Sequence, residues 1–440
     1  MIRRWSVSTL MLIVVAPTST SAHDAPNIVW IWADNLAYRD LSVYGNPRIK
    51  TPSIDRLASE GVRFTQYYVG HVVCSPSRAA LLTGRQPFRV GIVDVLRPDG
   101  PSGLPDDEIT LAEALRERGY ATAAIGKWHL GDRFEYLPTQ HGFDHYFGLP
   151  YSMDMLPTVL YRDNEIIDEL SGDKVRTVTR RLTDAAITFV AANKSKPFFV
   201  YFSHTIPHGP LNLPDNCRTP GRPIYEDAIE HLDAEVGRLL AALDEHGLTD
   251  NTLVVFSSDN GPMGKGGDTG GLRGAIRDSY EGGVRVPYIA RWPGHIDPGR
   301  IEKRPAIAYD IFPTVLEITG GRVPDDREYD GQSILPLLTG KGAFERIEPF
   351  VWVYDDKVTA MRDGKWKLHV AARGRPLEKP ELYDLDADPG EAHPVNAAHR
   401  EVTTRLLQYV QKFQRTLPRV WNLRYPVRDS AKRPSGVRRK

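Results

Sequence analysis

The densest run of chemically capable residues is Cys74-Ser75-Pro76-Ser77-Arg78-Ala79-Ala80-Leu81-Leu82-Thr83-Gly84-Arg85. Pro76 can open a helix, Ser77 to Leu82 continue it, and Gly84 ends it. Cys74 then stands at a helix N-terminus, where unbonded backbone N–H groups and the helix dipole favour an anion. Arg78, one turn on, can return a guanidinium to the same spot. A cysteine taken alone reads as a small buried hydrophobe; in this setting it reads as part of an anion site. Four further clusters carry carboxylates, amides, a lysine or histidines. They are Asp34-Asn35, Gly126-Lys127-Trp128-His129, Ser203-His204 with Pro207-His208, and Ser257-Ser258-Asp259-Asn260-Gly261.

Each of these four clusters follows directly on an apolar run: Asn27 to Ala33, Ala121 to Ile125, Pro197 to Phe202 and Thr252 to Phe256. Short apolar runs without alternation suit strands buried on both faces of a helix-covered parallel sheet. Helical patterns lie between them. Leu111-Ala114-Leu115 leads to a terminator at Gly119, and Ile229, Leu232, Val236, Leu239, Leu240 and Leu243 form a stripe closed by Gly247. Alternating strands and helices predict an α/β sheet. Ligands of such sheets sit at the carboxyl ends of the strands, so all four clusters are expected to converge on one pocket.

Composition bounds the chain more loosely. Its 440 residues are 41% hydrophobic and 25% charged, ordinary for a large soluble domain and unlike disordered, collagenous or coiled-coil chains. Lys+Arg and Asp+Glu both number 56, so no overall field draws in nucleic acid or an anionic membrane. Cys74 and Cys217 are too few for a disulfide scaffold or a cysteine zinc site. Arg3 and Arg4, the apolar run Leu10 to Ala16 and the small residues Thr20-Ser21-Ala22 predict a secretory leader over 1–22. That apolar run is too short to span a bilayer, so a periplasmic or secreted protein, free of the membrane after cleavage, is expected. Residues 426–440 are basic and lack apolar periodicity, which reads as a frayed tail.

With the Cys-x-Pro-x-Arg core at 74–78 and its extension to Thr83-Gly84-Arg85, the chain resembles the type I, formylglycine-dependent sulfatases, arylsulfatase A-like members in particular. The resemblance also covers 33–45, 126–131, 148–152, 258–261, 280–287 and 382–391. It implies an alkaline-phosphatase-like α/β sandwich with a central, mostly parallel sheet over 23–342, and a small C-terminal α+β domain over 343–425. It implies oxidation of Cys74 to formylglycine by a formylglycine-generating enzyme. Asp34, Asn35, Asp259 and Asn260, with position 74, are the implied ligands of one divalent cation. Oxygen ligands suit a hard ion, Ca²⁺ ahead of Mg²⁺. The implied reaction is hydrolysis of a sulfate ester, with a sulfated carbohydrate as the expected substrate. A hydroxyl of the hydrated formylglycine attacks sulfur, Asp259 activates it, and Lys127 and Arg78 hold the anionic oxygens. His208, in Pro207-His208-Gly209-Pro210, is the expected acid for the leaving alcohol, with His204 competing, and His129 the base that completes the cycle.

Departures from the family pattern are specific. Asn35 stands where the family usually has Asp, which removes one negative charge. Tyr280-Glu281-Gly282-Gly283 is intact, but Ile276 occupies the position of a sulfate-contacting lysine; Lys265, Arg273 and Arg277 are the candidates to replace it. Ser152 matches a pocket residue of the arylsulfatase A-like group. The matching C-terminal histidine is absent, with Leu377 in its place and His369 earlier. His71, Trp128 and Asp154 are read as pocket, core or loop residues, and Cys217 as a free thiol. Two other readings remain open on the residues: a formylglycine-dependent phosphodiesterase or phosphonate monoester hydrolase, and a catalytically silent carbohydrate-binding relative.

Overall fold

The structure, a computed structural model, describes residues 25–418 except 265. The leader read over 1–22, the basic tail over 426–440 and Lys265 lie outside the described residues. One large sheet is built from β1 (Asn27–Ala33), β2 (Val62–Tyr68), β3 (Ala121–Lys127), β4 (His145–Leu149), β5 (Val159–Arg162), β6 (Glu165–Glu169), β7 (Phe198–Ser203), β8 (Thr252–Ser258), β9 (Arg285–Arg291), β10 (Arg300–Glu302) and β11 (Ala306–Ile307). Its order is β10-β2-β9-β8-β1-β7-β3-β4-β5-β6, with β11 beside β2. The run β8-β1-β7-β3-β4 is parallel throughout, while β9, β5 and β6 pair antiparallel with their neighbours.

The four apolar runs therefore occupy four consecutive places in the sheet, β8-β1-β7-β3, and bring their polar ends side by side. The strands outlast the apolar runs because the ladder continues into polar residues: Ser203 pairs with Gly126 and Ser258 with Ala33. Gly126 is required there. Its φ is +104°, and a Cβ would stand 1.7 Å from the Ser203 carbonyl oxygen.

Successive residues of β1 serve opposite faces, as a strand's period of two demands. Trp30 and Trp32 pack into one core with Tyr201, Leu81 and Leu82. Val29 and Ile31 pack into the other with Phe202, Phe256 and the stripe Ile229, Leu232, Val236, Leu239, Leu240 and Leu243. That stripe lies on the helix Ile224–Glu245, whose C-terminus passes through His246 to Gly247 at φ +68°. Full burial of each such side chain contributes about 1.5–3 kcal/mol. The shorter helix Leu111–Arg116 opens with a capping box between Thr110 and Glu113.

The C-terminal region is a four-stranded antiparallel sheet of β12 (Phe350–Tyr354), β13 (Lys357–Asp363), β14 (Trp366–Ala372) and β15 (Arg375–Asp384). The helix Arg400–Gln414 buries Leu406 and Val410 against Met361, Leu368 and Leu382 of this sheet. Trp352 Nε1 donates to the Val69 carbonyl at 3.0 Å, tying the small sheet to the large one. No helix among the described residues is long and apolar enough to cross a membrane.

Candidate active site

The helix over Cys74–Thr83 starts at Cys74, two residues before Pro76, after Val73 in an extended conformation. Proline is tolerated there because the first N–H groups of a helix have no intrahelical partner to lose. Gly84, at φ +68°, ends the helix by donating its N–H to the Ala80 carbonyl. Cys74 thus stands at the helix N-terminus and faces the ends of β1 and β8. Its Sγ lies 3.8 Å from Asp34 Oδ1 and 3.8 Å from Asn35 Oδ1.

Two buried cations meet two buried acids. Arg78 Nε and Nη2 donate to Asp259 Oδ2 at 3.1 and 2.7 Å, and Nη1 donates to the Lys127 carbonyl at 2.7 Å and to Ser203 Oγ. One guanidinium therefore binds the ends of β3, β7 and β8. Lys127 Nζ donates to Asp34 Oδ2 at 2.7 Å. Burial pushes the Asp34 carboxyl up, but Lys127, His208 and Arg78 together hold it below its ordinary range. Asp259 moves the other way, because burial and the charge of Asp34 outweigh Arg78 and Lys127. The Cys74 thiol is pushed up by burial and by the two carboxylates, so unmodified Cys74 stays a protonated, weakly nucleophilic thiol.

The donor set fits a hard cation. Ligand atoms of Asp34, Cys74 and Asp259 all lie within 4.8 Å of one another. Asn260 donates its Nδ2 to the Gly261 carbonyl at 2.9 Å, which leaves Oδ1 buried with no donor. An unpaired buried acceptor costs about 1–3 kcal/mol, and an ion held among Asp34, Asn35, Asp259 and Asn260 would supply the missing partner.

The histidines divide by position. A backbone carbonyl only accepts, so His129 Nε2–H donates to Leu96 O at 3.2 Å and leaves Nδ1 buried without a partner. Burial, with Lys127 and Arg78 nearby, holds His129 well below its ordinary value, so its ring is neutral. His208 Nδ1 donates to the Gly209 carbonyl at 2.5 Å, freeing Nε2. His204 is not brought to the cluster. Its ring lies 4.1 Å from that of Phe202, on the face covered by the helix Ile224–Glu245, with both nitrogens buried and unpartnered. The strand alternation could have shown this, since His204 and Phe202 are two residues apart and share a face. Ser152 is buried with an unpartnered Oγ, in the segment where the Leu149 and Pro150 carbonyls accept from Trp128 and His129 N–H. Leu96 carries no sequence signal, because only its carbonyl is used. Ser203 was legible as the first polar residue after an apolar run.

The family model described as Sulfatase matches residues 26–321, well over half of the chain. The chain belongs to the sulfatase family. A second family model, described as N-sulphoglucosamine sulphohydrolase, C-terminal, matches residues 276–416. This sulfatase is 37% identical to arylsulfatase A of Bos taurus over 90% of its own length and 88% of the relative's. It is 32% identical to N-acetylgalactosamine-6-sulfatase of Canis lupus familiaris over 93% and 89%. The solved structure of Ps i-CgsB in complex with k-i-k-neocarrahexaose shares 30% identity at a TM-score of 0.81, covering 89% of this chain and 93% of that one. The protein is an arylsulfatase A-like sulfuric ester hydrolase with the expected α/β fold.

Other residues singled out in this sulfatase fall outside that cluster. Ile276 packs against the core. Arg273 lies 3.8 Å above the Tyr280 ring and donates to Tyr383 OH at 2.9 Å, so it serves the seam with the C-terminal sheet. Arg277, at φ +74°, donates its N–H to the Val72 carbonyl beside the Cys74 turn; its guanidinium reaches Tyr354 OH and lies 3.6 Å from Asp94. Trp128 is a core residue, donating to the Tyr136 carbonyl and stacking on His141. His71 is buried against Tyr354, Asp154 is exposed, and Leu377 sits on β15. Cys217 is a free thiol 3.5 Å from His231 Nδ1.

Proposed function

We propose that this sulfatase removes O-sulfate from a carbohydrate in the periplasm or outside the cell, using a formylglycine made from Cys74 and one Ca²⁺, with Mg²⁺ as the alternative. The observation that carries this reading is the placement of Cys74 Sγ against Asp34 and Asn35 while Asn260 Oδ1 stays buried and unpartnered. The carbohydrate is supported by the names of the relatives, an N-acetylgalactosamine-6-sulfatase and a structure in complex with k-i-k-neocarrahexaose, and export by the leader read over 1–22.

Formylglycine would supply an aldehyde whose hydrate carries the nucleophilic hydroxyl, and a cation held by Asp34, Asn35, Asp259 and Asn260 would supply polarisation of sulfate oxygens. The chain's own residues do the rest. Lys127 and Arg78 place two fixed positive charges behind the anion in a water-poor pocket, where such charges act at greatest strength. His208 holds a proton at Nε2 for the leaving alcohol, with Nδ1 anchored on Gly209. His129 takes a proton at Nδ1, the nitrogen that the Leu96 carbonyl leaves free. Ser152, buried with an unpartnered Oγ, and Arg277, whose backbone N–H bonds the Val72 carbonyl beside the Cys74 turn, are the substrate contacts of this reading, and His204 has no part in the reaction.

Mass spectrometry of the tryptic peptide 64–78 tests the reading, on protein made with a formylglycine-generating enzyme. Loss of sulfur and two hydrogens with gain of one oxygen at position 74, together with sulfate release from sulfated saccharides, is the expected result. A persistent thiol under those conditions overturns it.

A further inference from the structure

A second buried charge cluster lies where the C-terminal sheet meets the Tyr280–Val284 segment. Glu281, Lys367, His369 and Glu391 are all fully buried. Lys367 Nζ, on β14, lies 2.8 Å from Glu281 Oε1 and 3.3 Å from Glu391 Oε1. Glu391 Oε2 accepts the Glu281 backbone N–H at 2.6 Å, and His369 Nε2 meets Glu391 Oε1 at 2.6 Å. Tyr68 OH donates to the remaining Glu281 oxygen at 2.7 Å. Glu391 itself is held at φ +54°, a conformation that persists only where the surroundings impose it. Buried ion pairs repay their desolvation poorly, so such a cluster argues for specified geometry rather than for stability.

The geometry leads from this cluster to the cation site. Glu281 opens the turn Glu281–Val284. The Gly283 carbonyl accepts the Gly261 N–H at 3.0 Å. Gly261 is pressed so closely on the turn that a Cβ would stand 2.1 Å from the Gly282 carbonyl oxygen. The Gly261 carbonyl in turn accepts Asn260 Nδ2, which fixes the amide and leaves Oδ1 buried and unpartnered beside Asp259 in the chain.

We propose that Lys367, Glu391 and Glu281 form a latch by which the C-terminal sheet orients Asn260 toward the cation, making Lys367 and Glu391 positioning residues of the reaction; this rests on the metal site proposed above. Both side chains are engaged within the buried cluster. Their effect passes through the Gly282-Gly283 turn to one amide oxygen.

The test is calorimetric titration of Ca²⁺ into the full-length matured protein, with near-ultraviolet circular dichroism as the check of fold. Glu391→Gln keeps shape and removes charge, and Lys367→Met removes the bridging amine. Each is expected to weaken Ca²⁺ binding about 10–100-fold, the usual effect of losing an outer-shell partner. In an Asn260→Ala background the same substitutions are expected to have little further effect, because the latch acts through Asn260. Should Lys367→Met not fold, Glu391→Gln carries the cycle alone. Wild-type affinity in Glu391→Gln, or effects that simply add to Asn260→Ala, overturns the latch. A wild-type protein that binds neither Ca²⁺ nor Mg²⁺ overturns the metal reading instead.

Discussion

At the scale of single residues, the site depends on which atom of each group is already engaged. Lys127 and Arg78 are paired with Asp34 and Asp259, so each cation neutralises a buried acid. The unmodified Cys74 thiol, pushed up by burial and the carboxylates, supplies no thiolate for chemistry of its own. Cys74→Ala is therefore expected to abolish aryl sulfate turnover with an unchanged circular dichroism spectrum, measured side by side on both proteins. His129 presents a free Nδ1 because Nε2 is engaged by a main-chain carbonyl. His129→Ala should lower kcat about 10²–10⁴-fold, the range for loss of a proton-transfer group, with a smaller effect on KM. A KM effect alone would reassign His129 to binding.

At the scale of elements, the site exists because β8, β1, β7 and β3 end at one level. Lys127 ends β3 and His129 follows it, just beyond Gly126, whose backbone runs against the end of β7. Gly126→Ala adds a Cβ where the Ser203 carbonyl already stands, at a φ that alanine adopts poorly. Urea unfolding should show a loss of more than about 1 kcal/mol, and activity should fall further than stability because Lys127 is displaced. Retention of both quantities would mean that β3 and β7 separate at this end without cost. The helix Cys74–Thr83 contributes in another way, since its first residue, Cys74, sets its Sγ against Asp34 and Asn35.

At the scale of the whole molecule, the two cores and the C-terminal sheet bury several histidines that cannot easily be charged. Burial holds His71 and His204 down to about 3, against an ordinary value of 6.5. Between those two values the unfolded chain binds more protons than the folded one, so stability rises with pH across that window. This contribution is complete above pH 6.5 and is lost as pH falls toward 3. Melting temperature is expected to drop steadily as the buffer is taken from pH 6.5 to 4. His204 has two buried nitrogens without partners, so His204→Leu should flatten that dependence while turnover is retained. Loss of turnover in that variant would return His204 to the substrate site. The C-terminal sheet is tied to the rest of the chain through Trp352 on Val69 and Lys367 on Glu281.

What was local could be read from the sequence alone. The four apolar runs, the polar residues that end them and the Cys74 to Arg85 signature are contiguous, and strand burial, turn chemistry and family membership follow from contiguous patterns. The convergence of Asp34, Lys127 and Asp259 followed from the strand-end rule and that of Cys74 from the family resemblance, and the structure brings the four together. Tertiary structure alone decided what depends on meetings between distant residues. It paired Arg78 with Asp259 and set His129's free nitrogen through the Leu96 carbonyl. It turned His204 under the opposite helix and placed Lys367 of the small sheet on Glu281 of the large domain. The physical reason is the same in each case: a side chain's partner and protonation depend on what sheet order brings against it, and no short window of sequence contains that neighbour.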